Sequence, residues 1–188
     1  MALTKLNVAR ALTGATPVAN GGTALTSGFV NGYTQGSVVT PSGVDNFTFT
    51  SIPSGTNSII LTAQNLSTDS GSGSNLYFYL GDSGGYETSG YQAVDAYRGV
   101  SADDNDSTAF TGYFGLATGF SASDVWSGNI FLNRISGNFW VMTYTAHDIG
   151  QYVRWGAGHK ELSAELTSIK FEFQNGNFDN GTCNIQYQ

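Results

Sequence analysis

The chain has 188 residues, only 11% of them charged, and a formal net charge of −7 at pH 7. This length allows one domain with a substantial core. The seven Lys and Arg residues are scattered along the sequence and outnumbered by fourteen acidic residues, so no basic surface is expected and nucleic acid and anionic membranes are excluded as expected partners.

The glycine and cysteine contents further narrow the class of protein to which the chain can belong. Gly accounts for 25 residues, and a surface so poor in charge depends on Ser, Thr, Asn and Gly for solubility, which is typical of all-β proteins outside cells or inside large assemblies. The single cysteine, Cys183, excludes an internal disulfide and is expected to be a small core residue. Neither a membrane span nor a cleaved leader is expected, since no long apolar run and no signal-peptide pattern occur.

Residues 1–40 differ from the rest of the chain. Their apolar residues are isolated between Gly, Thr, Asn and Ala, with turn signals at Asn20-Gly21 and Asn31-Gly32. Such a stretch has too few neighbouring apolar residues to form its own core. Two interpretations stay open: a disordered tail, or an arm that becomes ordered by lying on another subunit. The predicted organisation is an N-terminal attachment arm at 1–40 and a β-sandwich domain at 41–188.

From residue 44 onward the sequence shows regular strand patterns. Apolar and polar residues alternate, as where Trp140, Met142 and Tyr144 share one face, and turn signals such as residues 136–138 predict hairpins. The predicted strands lie at residues 44–50, 58–66, 75–80, 90–98, 109–116, 126–135, 139–147, 167–174 and 182–187. Because no helical stripe separates them, they predict an all-β fold, an antiparallel β-sandwich of jelly-roll type with an extended N-terminal arm.

The segment at residues 81–85, Gly-Asp-Ser-Gly-Gly, also surrounds the nucleophile of trypsin-like serine proteases, so Ser83 is the first catalytic candidate. A nucleophilic serine needs a histidine and a carboxylate, and His147 and His159 both follow Ser83 in the chain. Asp148 is adjacent to His147, but adjacent strand residues point to opposite faces. The favoured interpretation is a strand-to-strand turn, and no catalytic residue is predicted.

The run Asp103-Asp104-Asn105-Asp106 gathers oxygen ligands of the kind that calcium binds. It lacks the glycine and glutamate of an EF-hand loop, so a solvated, charge-bearing loop is favoured, with a bound cation as the alternative. No Cys/His pair has zinc spacing, and no glycine-rich loop precedes a helix that would hold a phosphate. The sequence therefore predicts no metal site and no cofactor.

Seven aromatic residues lie near turns or polar runs: Tyr86, Tyr91, Tyr97, Tyr113, Trp126, Tyr152 and Trp155. Exposed aromatic side chains stack on sugar rings or anchor a protein interface, whereas buried ones fill the core. Core and subunit interface are expected to account for most of them. Sugar binding that depends on Trp155 stays open, and a carbohydrate-active enzyme is disfavoured because no strong paired-carboxylate signal occurs.

Residues 13–26, which read Thr-Gly-Ala-Thr-Pro-Val-Ala-Asn-Gly-Gly-Thr-Ala-Leu-Thr, carry a family resemblance. They resemble a Thr-Gly-x-x-Pro-Val-Ala-Asn-Gly-Gly-Thr-Gly segment that recurs in tail-fibre proteins of tailed bacteriophages. Residues 81–91, 127–145 and 160–187 are similar to a β-rich domain common at the ends of such fibres and in small phage virion proteins. The resemblance is silent on chemistry, because its motifs are turns and strands.

The resemblance implies a non-enzymatic structural protein on the exterior of a phage virion. On this hypothesis the chain is a homotrimer of tail-fibre type, residues 1–40 attach it to other virion proteins, and loops of the sandwich contact a host cell-surface glycan or protein. The alternative is a capsid decoration, or cement, protein that bridges and stabilises capsid subunits.

Overall fold

The computed structural model describes residues 32–71, 73–101, 104–148 and 151–188. Most of the predicted attachment arm lies outside these residues, so the arm stays a prediction. The described residues form thirteen strands and no helix: β1 (Thr34–Val39), β2 (Asn46–Thr50), β3 (Ser58–Thr68), β4 (Ser74–Asp82), β5 (Gly85–Tyr86), β6 (Gln92–Gly99), β7 (Asn105–Phe110), β8 (Phe114–Phe120), β9 (Trp126–Ser136), β10 (Phe139–Asp148), β11 (Tyr152–Glu161), β12 (Ser168–Phe173) and β13 (Phe178–Tyr187).

The strands form two antiparallel sheets. The larger has eight strands in the order β1-β13-β3-β9-β10-β11-β6-β7, and the smaller has the order β2-β12-β4-β5, with β8 also paired to β4. The set β1, β13, β3, β9 in one sheet and β2, β12, β4, β8 in the other is the strand order of a jelly roll. The predicted antiparallel sandwich is thus confirmed, and β10, β11, β6 and β7 extend one end of its larger sheet.

Phenylalanines dominate the side of the core formed by the smaller sheet. Phe47, Phe171, Phe78 and Phe114 lie in register across β2, β12, β4 and β8. Adjacent ring centroids are 5.0, 5.3 and 5.1 Å apart. All four belong to one buried cluster with Trp140 of the larger sheet, and burial of each ring contributes roughly 2 kcal/mol. This shared core holds the two sheets together.

The sheet begins earlier than the sequence indicated. Residues 34–39, which the sequence analysis assigned to the arm, form β1 and pair with β13 from Thr34 opposite Tyr187 to Val39 opposite Cys183. The strand was missed because it contains few apolar residues. It also needs Gly36, since a Cβ there would lie 2.5 Å from Cγ2 of Ile185.

Two other predicted elements differ from the structure. Residues 109–116, predicted as one strand, are divided between β7 and β8, because a turn at 111–113 carries the chain from the larger sheet to the smaller one. Asn105 and Asp106 lie in β7 and not in a loop, while Asp103 lies outside the described residues. The sequence also gave no prediction for β11, although it is ten residues long.

Cys183 is a buried free thiol, as predicted, and burial raises its pKa to about 12. Among the described residues no helix has the length and apolar character needed to cross a bilayer.

Candidate functional site

Ser83 lies in the turn between β4 and β5. The Asp82 carboxylate organises this turn, accepting hydrogen bonds from the Gly84 amide (2.7 Å), the Ser163 hydroxyl (2.7 Å) and the Ala164 amide (2.8 Å). The bond from Ser163 is the main cause that holds the pKa of Asp82 below its usual range. Ser83 itself is exposed. The segment therefore joins the β4–β5 turn to the loop before β12, as the turn interpretation expects.

The structure does not assemble a catalytic triad from the residues that the sequence offered. His147 is exposed and Asp148 is buried, so their side chains point to opposite faces of β10. Asp148 binds Arg154 instead, with 3.1 Å between Oδ2 and Nε. His159 stacks on Phe139 with 5.0 Å between ring centroids. Among the described residues no hydrogen bond joins Ser83 to either histidine.

Asp103 of the acidic run lies outside the described residues, so the bound cation stays an untested alternative. Within the described parts of the chain, no group of three or more His, Cys, Asp or Glu residues is placed to hold a metal ion. The Asp106 carboxylate accepts a hydrogen bond from the Ser107 amide at 2.7 Å. The Asp104 amide donates to the Ser101 carbonyl at 3.2 Å, and the Asp104 carbonyl accepts from the Gly99 amide at the end of β6 at 2.6 Å.

A buried polar cluster lies on the inner face of the larger sheet. Arg154 of β11 contacts Asp95 of β6 through Nη1 at 3.3 Å and Asp148 of β10 through Nε at 3.1 Å. The Tyr144 hydroxyl donates to Asp95 and lies 2.9 Å from the Leu116 carbonyl of β8. The cluster thus ties three strands of the larger sheet to β8 of the smaller one.

Burial controls the electrostatics of this cluster. It raises the pKa of Asp95, an effect that the Tyr144 hydrogen bond and the Arg154 charge only partly offset. It also raises the pKa of Asp148, against the lowering by Arg154. Perturbed carboxylates often mark active sites. These side chains are, however, no more than 5% exposed, so a substrate has no access and the cluster is structural.

Strand β11 reverses the usual distribution of polarity. Its inner face carries Arg154 and Lys160, both buried, whereas its outer face carries Val153 and Trp155, which are 57% and 45% exposed. A buried charge and an exposed large apolar side chain are the informative departures from ordinary burial. Sequence reasoning missed the strand for this reason, although it named Trp155 as a candidate aromatic residue.

The exposed residues of β11 belong to a continuous outer face of the larger sheet. We call the outward side chains of β9, β10, β11 and β6 the outer face. In register, Phe131 lies opposite Thr143, Thr143 opposite Ala157, and Ala157 opposite Val94. Phe131 and Val94 are 40% and 46% exposed. The face is therefore a broad strip of aromatic, aliphatic, Thr and Asn side chains.

Charge is nearly absent from the outer face. Its only charged side chains in these four strands are Arg98 and Glu161, and both histidines of the chain also lie on it. At the β3 side the polar residues bond to one another, with Thr62 Oγ1 2.8 Å from Oδ1 of Asn129. Among the described residues no such hydrogen-bonded pair is seen beside Val153 and Trp155 of β11, which makes this side of the face the candidate contact surface.

Comparison with known proteins adds little information about the family or the function of the chain. The chain matches no protein-family model and no curated protein. Among solved structures it is similar to the CBM2 module of the evolved Dit of Lactobacillus casei BL23 phage J-1, with 12% identity over 84% of this chain and 80% of that chain. The TM-score of 0.30 is too low for that likeness to support an argument about fold or function.

Proposed function

We propose that the protein is a non-enzymatic structural protein of a phage virion, of tail-fibre type, whose outer face contacts the host surface. The observation that carries the proposal is the reversed polarity of β11, which exposes Val153 and Trp155 on its outer face while Arg154 and Lys160 are buried on its inner face. Exposed apolar patches on soluble proteins mark interaction sites. The assignment to phages rests on the resemblance of residues 13–26 and of the turn and strand segments after residue 80.

The absence of enzymatic activity is part of the proposal. Its support is that the candidate nucleophile Ser83 is in a turn of the smaller sheet, whereas His147 faces outward from the larger sheet. Asp148, the candidate orienting group, is bound to Arg154. A side chain on the outer face is separated from the smaller sheet by the whole core.

The partners follow from the same proposal. Residues before β1 attach the protein to other virion proteins, and the sandwich domain forms a trimer, because cyclic homo-oligomers are how such appendages commonly close. Light scattering on the purified full chain tests the trimer: a trimer mass is expected, and a monomer at high concentration would contradict it.

Labelling of intact phage particles tests the location. Gold-conjugated antibody against the purified protein is expected at the tail, with tens of copies per particle by quantitative mass spectrometry. Label spread over the head, with hundreds of copies, would overturn the tail-fibre assignment in favour of a capsid decoration protein.

A further inference from the structure

A shallow depression opens on the outer face beside Trp155. In the cross-strand row through β11, β6 and β7, Trp155 lies opposite Ala96, and Ala96 lies opposite Ser107. The two small residues leave space next to the indole ring. The depression has a volume of about 390 Å³, and its lining includes Trp155, Ala96, Ser107, Arg98, Asn105 and Asp106.

Polar groups border the depression on one side. The next row of the sheet places Arg98 of β6 between Val153 of β11 and Asn105 of β7. Arg98 makes no ion pair with any described residue, so its guanidinium is available to a ligand. Asn105 offers both a donor and an acceptor, whereas Asp106 pairs with Tyr97 and its side chain points to the inner face of the sheet. The flat apolar indole ring of Trp155 therefore lies beside the hydrogen-bonding groups of Arg98 and Asn105.

We infer that this depression binds one hexopyranose unit of a host surface polysaccharide, an inference that rests on the proposed function. A pyranose has an apolar face of C–H groups and an edge of hydroxyls. The exposed indole of Trp155 provides the flat apolar surface for that face. Arg98 and Asn105, which share the outer face with Trp155, provide donors and an acceptor for the hydroxyls.

Size and polarity favour a sugar over a protein partner in this place. The volume lies in the range of small-ligand sites, roughly 300–1,000 Å³. Arg98 and Asn105 on the outer face supply hydrogen-bonding groups beside the Trp155 indole, a combination that suits a ligand with one apolar face and an edge of hydroxyls.

The test is an array of defined neutral and acidic oligosaccharides probed with the labelled full chain, followed by calorimetry with the best array ligand. Wild-type protein is expected to bind at least one oligosaccharide of the array. Trp155→Ala should weaken binding at least about tenfold, whereas Trp155→Phe, which keeps an aromatic ring, should stay within about threefold. Ala96→Gln, which fills the depression and leaves Trp155 in place, should also abolish binding.

Phe131→Ala is the matched control, because Phe131 is an exposed aromatic residue on the same face but lies outside the depression. It should bind like wild type. The inference is overturned if the array is silent, if Trp155→Ala binds normally, or if Phe131→Ala loses as much affinity. Conversion of an oligomer to a monomer by Trp155→Ala, seen by light scattering without sugar binding, would also overturn it and make the face a self-interface. A silent array together with gold label at the tail would leave the proposed function standing.

Discussion

Strands β10 and β11 are hydrogen-bonded neighbours in the larger sheet, yet they distribute polarity in opposite ways. β10 buries Trp140, Met142 and Tyr144 and exposes Thr143 and Thr145 between them. β11 buries two cations and exposes a valine and a tryptophan. The same sheet therefore carries one strand that obeys the rule of apolar burial and one that breaks it.

The difference has an energetic cost, which the structure offsets with ion pairs. Arg154 is compensated by Asp95 and Asp148, and Lys160 by the Glu87 carboxylate and the Glu161 carbonyl at 2.6 Å. Buried ion pairs of this kind are rarely more stable than apolar residues of similar size. A sequence that departs from local rules and supplies the compensation elsewhere indicates a functional strand. The contrast assigns a stabilising role to the inner side chains of β10 and agrees with the proposed contact role of the outer side of β11.

Removal of the buried cation is expected to have the largest effect on stability. Arg154→Met keeps an unbranched apolar stem but leaves Asp95 and Asp148 without a counter-charge, which should cost about 3–5 kcal/mol. Urea denaturation at pH 7 measures the free energy of unfolding. Arg98→Met, the exposed control in β6, should change it by no more than about 0.5 kcal/mol. Equal effects of the two variants would show that the inner face of β11 is not the stabilising one.

Tyr144→Phe should have the next largest effect. The variant removes the hydroxyl that donates to Asp95 and contacts the Leu116 carbonyl, so a buried acceptor loses its donor at a cost of about 1–3 kcal/mol. Tyr152→Phe is the control, because the Tyr152 ring packs on Tyr97 and no hydrogen bond of its hydroxyl to a described residue is seen. Unfolding curves that coincide for the two variants would contradict the role of the cluster.

The pH dependence of stability sharpens the comparison. Because burial raises the pKa of Asp95, the folded state keeps a proton that the unfolded state has already released, and stability falls as the pH rises from about 4 toward the raised pKa. Asp95→Asn should make this decline smaller, while the raised pKa of Asp148 keeps part of it. The check is to measure the free energy of unfolding of wild type and of Asp95→Asn from about pH 4 to 7. If the two proteins show the same dependence on pH, burial does not raise the pKa of Asp95.

The contribution of Asp82 to stability should change with pH in the opposite direction. Hydrogen bonds, first that from Ser163, hold its pKa below the usual range, so its contribution is present above the unfolded pKa and is lost as the pH falls toward the folded one. Asp82→Asn should make the acid side of the stability profile less steep. A profile identical to wild type below about pH 5 would contradict the role of the turn.

The outer side of β11 should show the smallest effect on stability. Val153→Thr is nearly isosteric and lies on an exposed surface, so the free energy of unfolding should change by no more than about 0.5 kcal/mol. Thermal and urea denaturation check this. A loss above about 2 kcal/mol would mean that Val153 is packed against something, and the division between the two sides of the strand would fail.

The sequence predicted the strands that follow ordinary alternation, and it did so because their residues carry the pattern themselves. β10 has apolar residues at every second position from Trp140 to Ala146, and β3, β9 and β13 carry shorter runs of the same alternation. The β9–β10 turn has Gly137 at a positive φ of 53°. β11 could not be recognised, because Arg154 occupies an inner position and Gly156 the next one. That glycine is required, since a Cβ there would lie 2.3 Å from the Tyr144 ring.

The sequence predicted the candidate site less well than it predicted the fold. Trp155 was named as one of seven aromatic residues, but nothing in its local sequence shows which face it occupies or what lies beside it. Its neighbours Ala96 and Ser107 come from strands far away in the chain. Strand register is a non-local property, so the depression became visible only in the folded sheet.

Iodide quenching of tryptophan fluorescence tests the central claim most directly. Trp126 and Trp140 are buried, whereas Trp155 is exposed on the outer side of β11. Quenching of the native full chain should therefore come from Trp155, and Trp155→Phe should abolish nearly all of it while leaving the buried emission. If Trp155→Phe quenches as wild type does, Trp155 is not at the surface, and the reversed polarity of β11 is wrong.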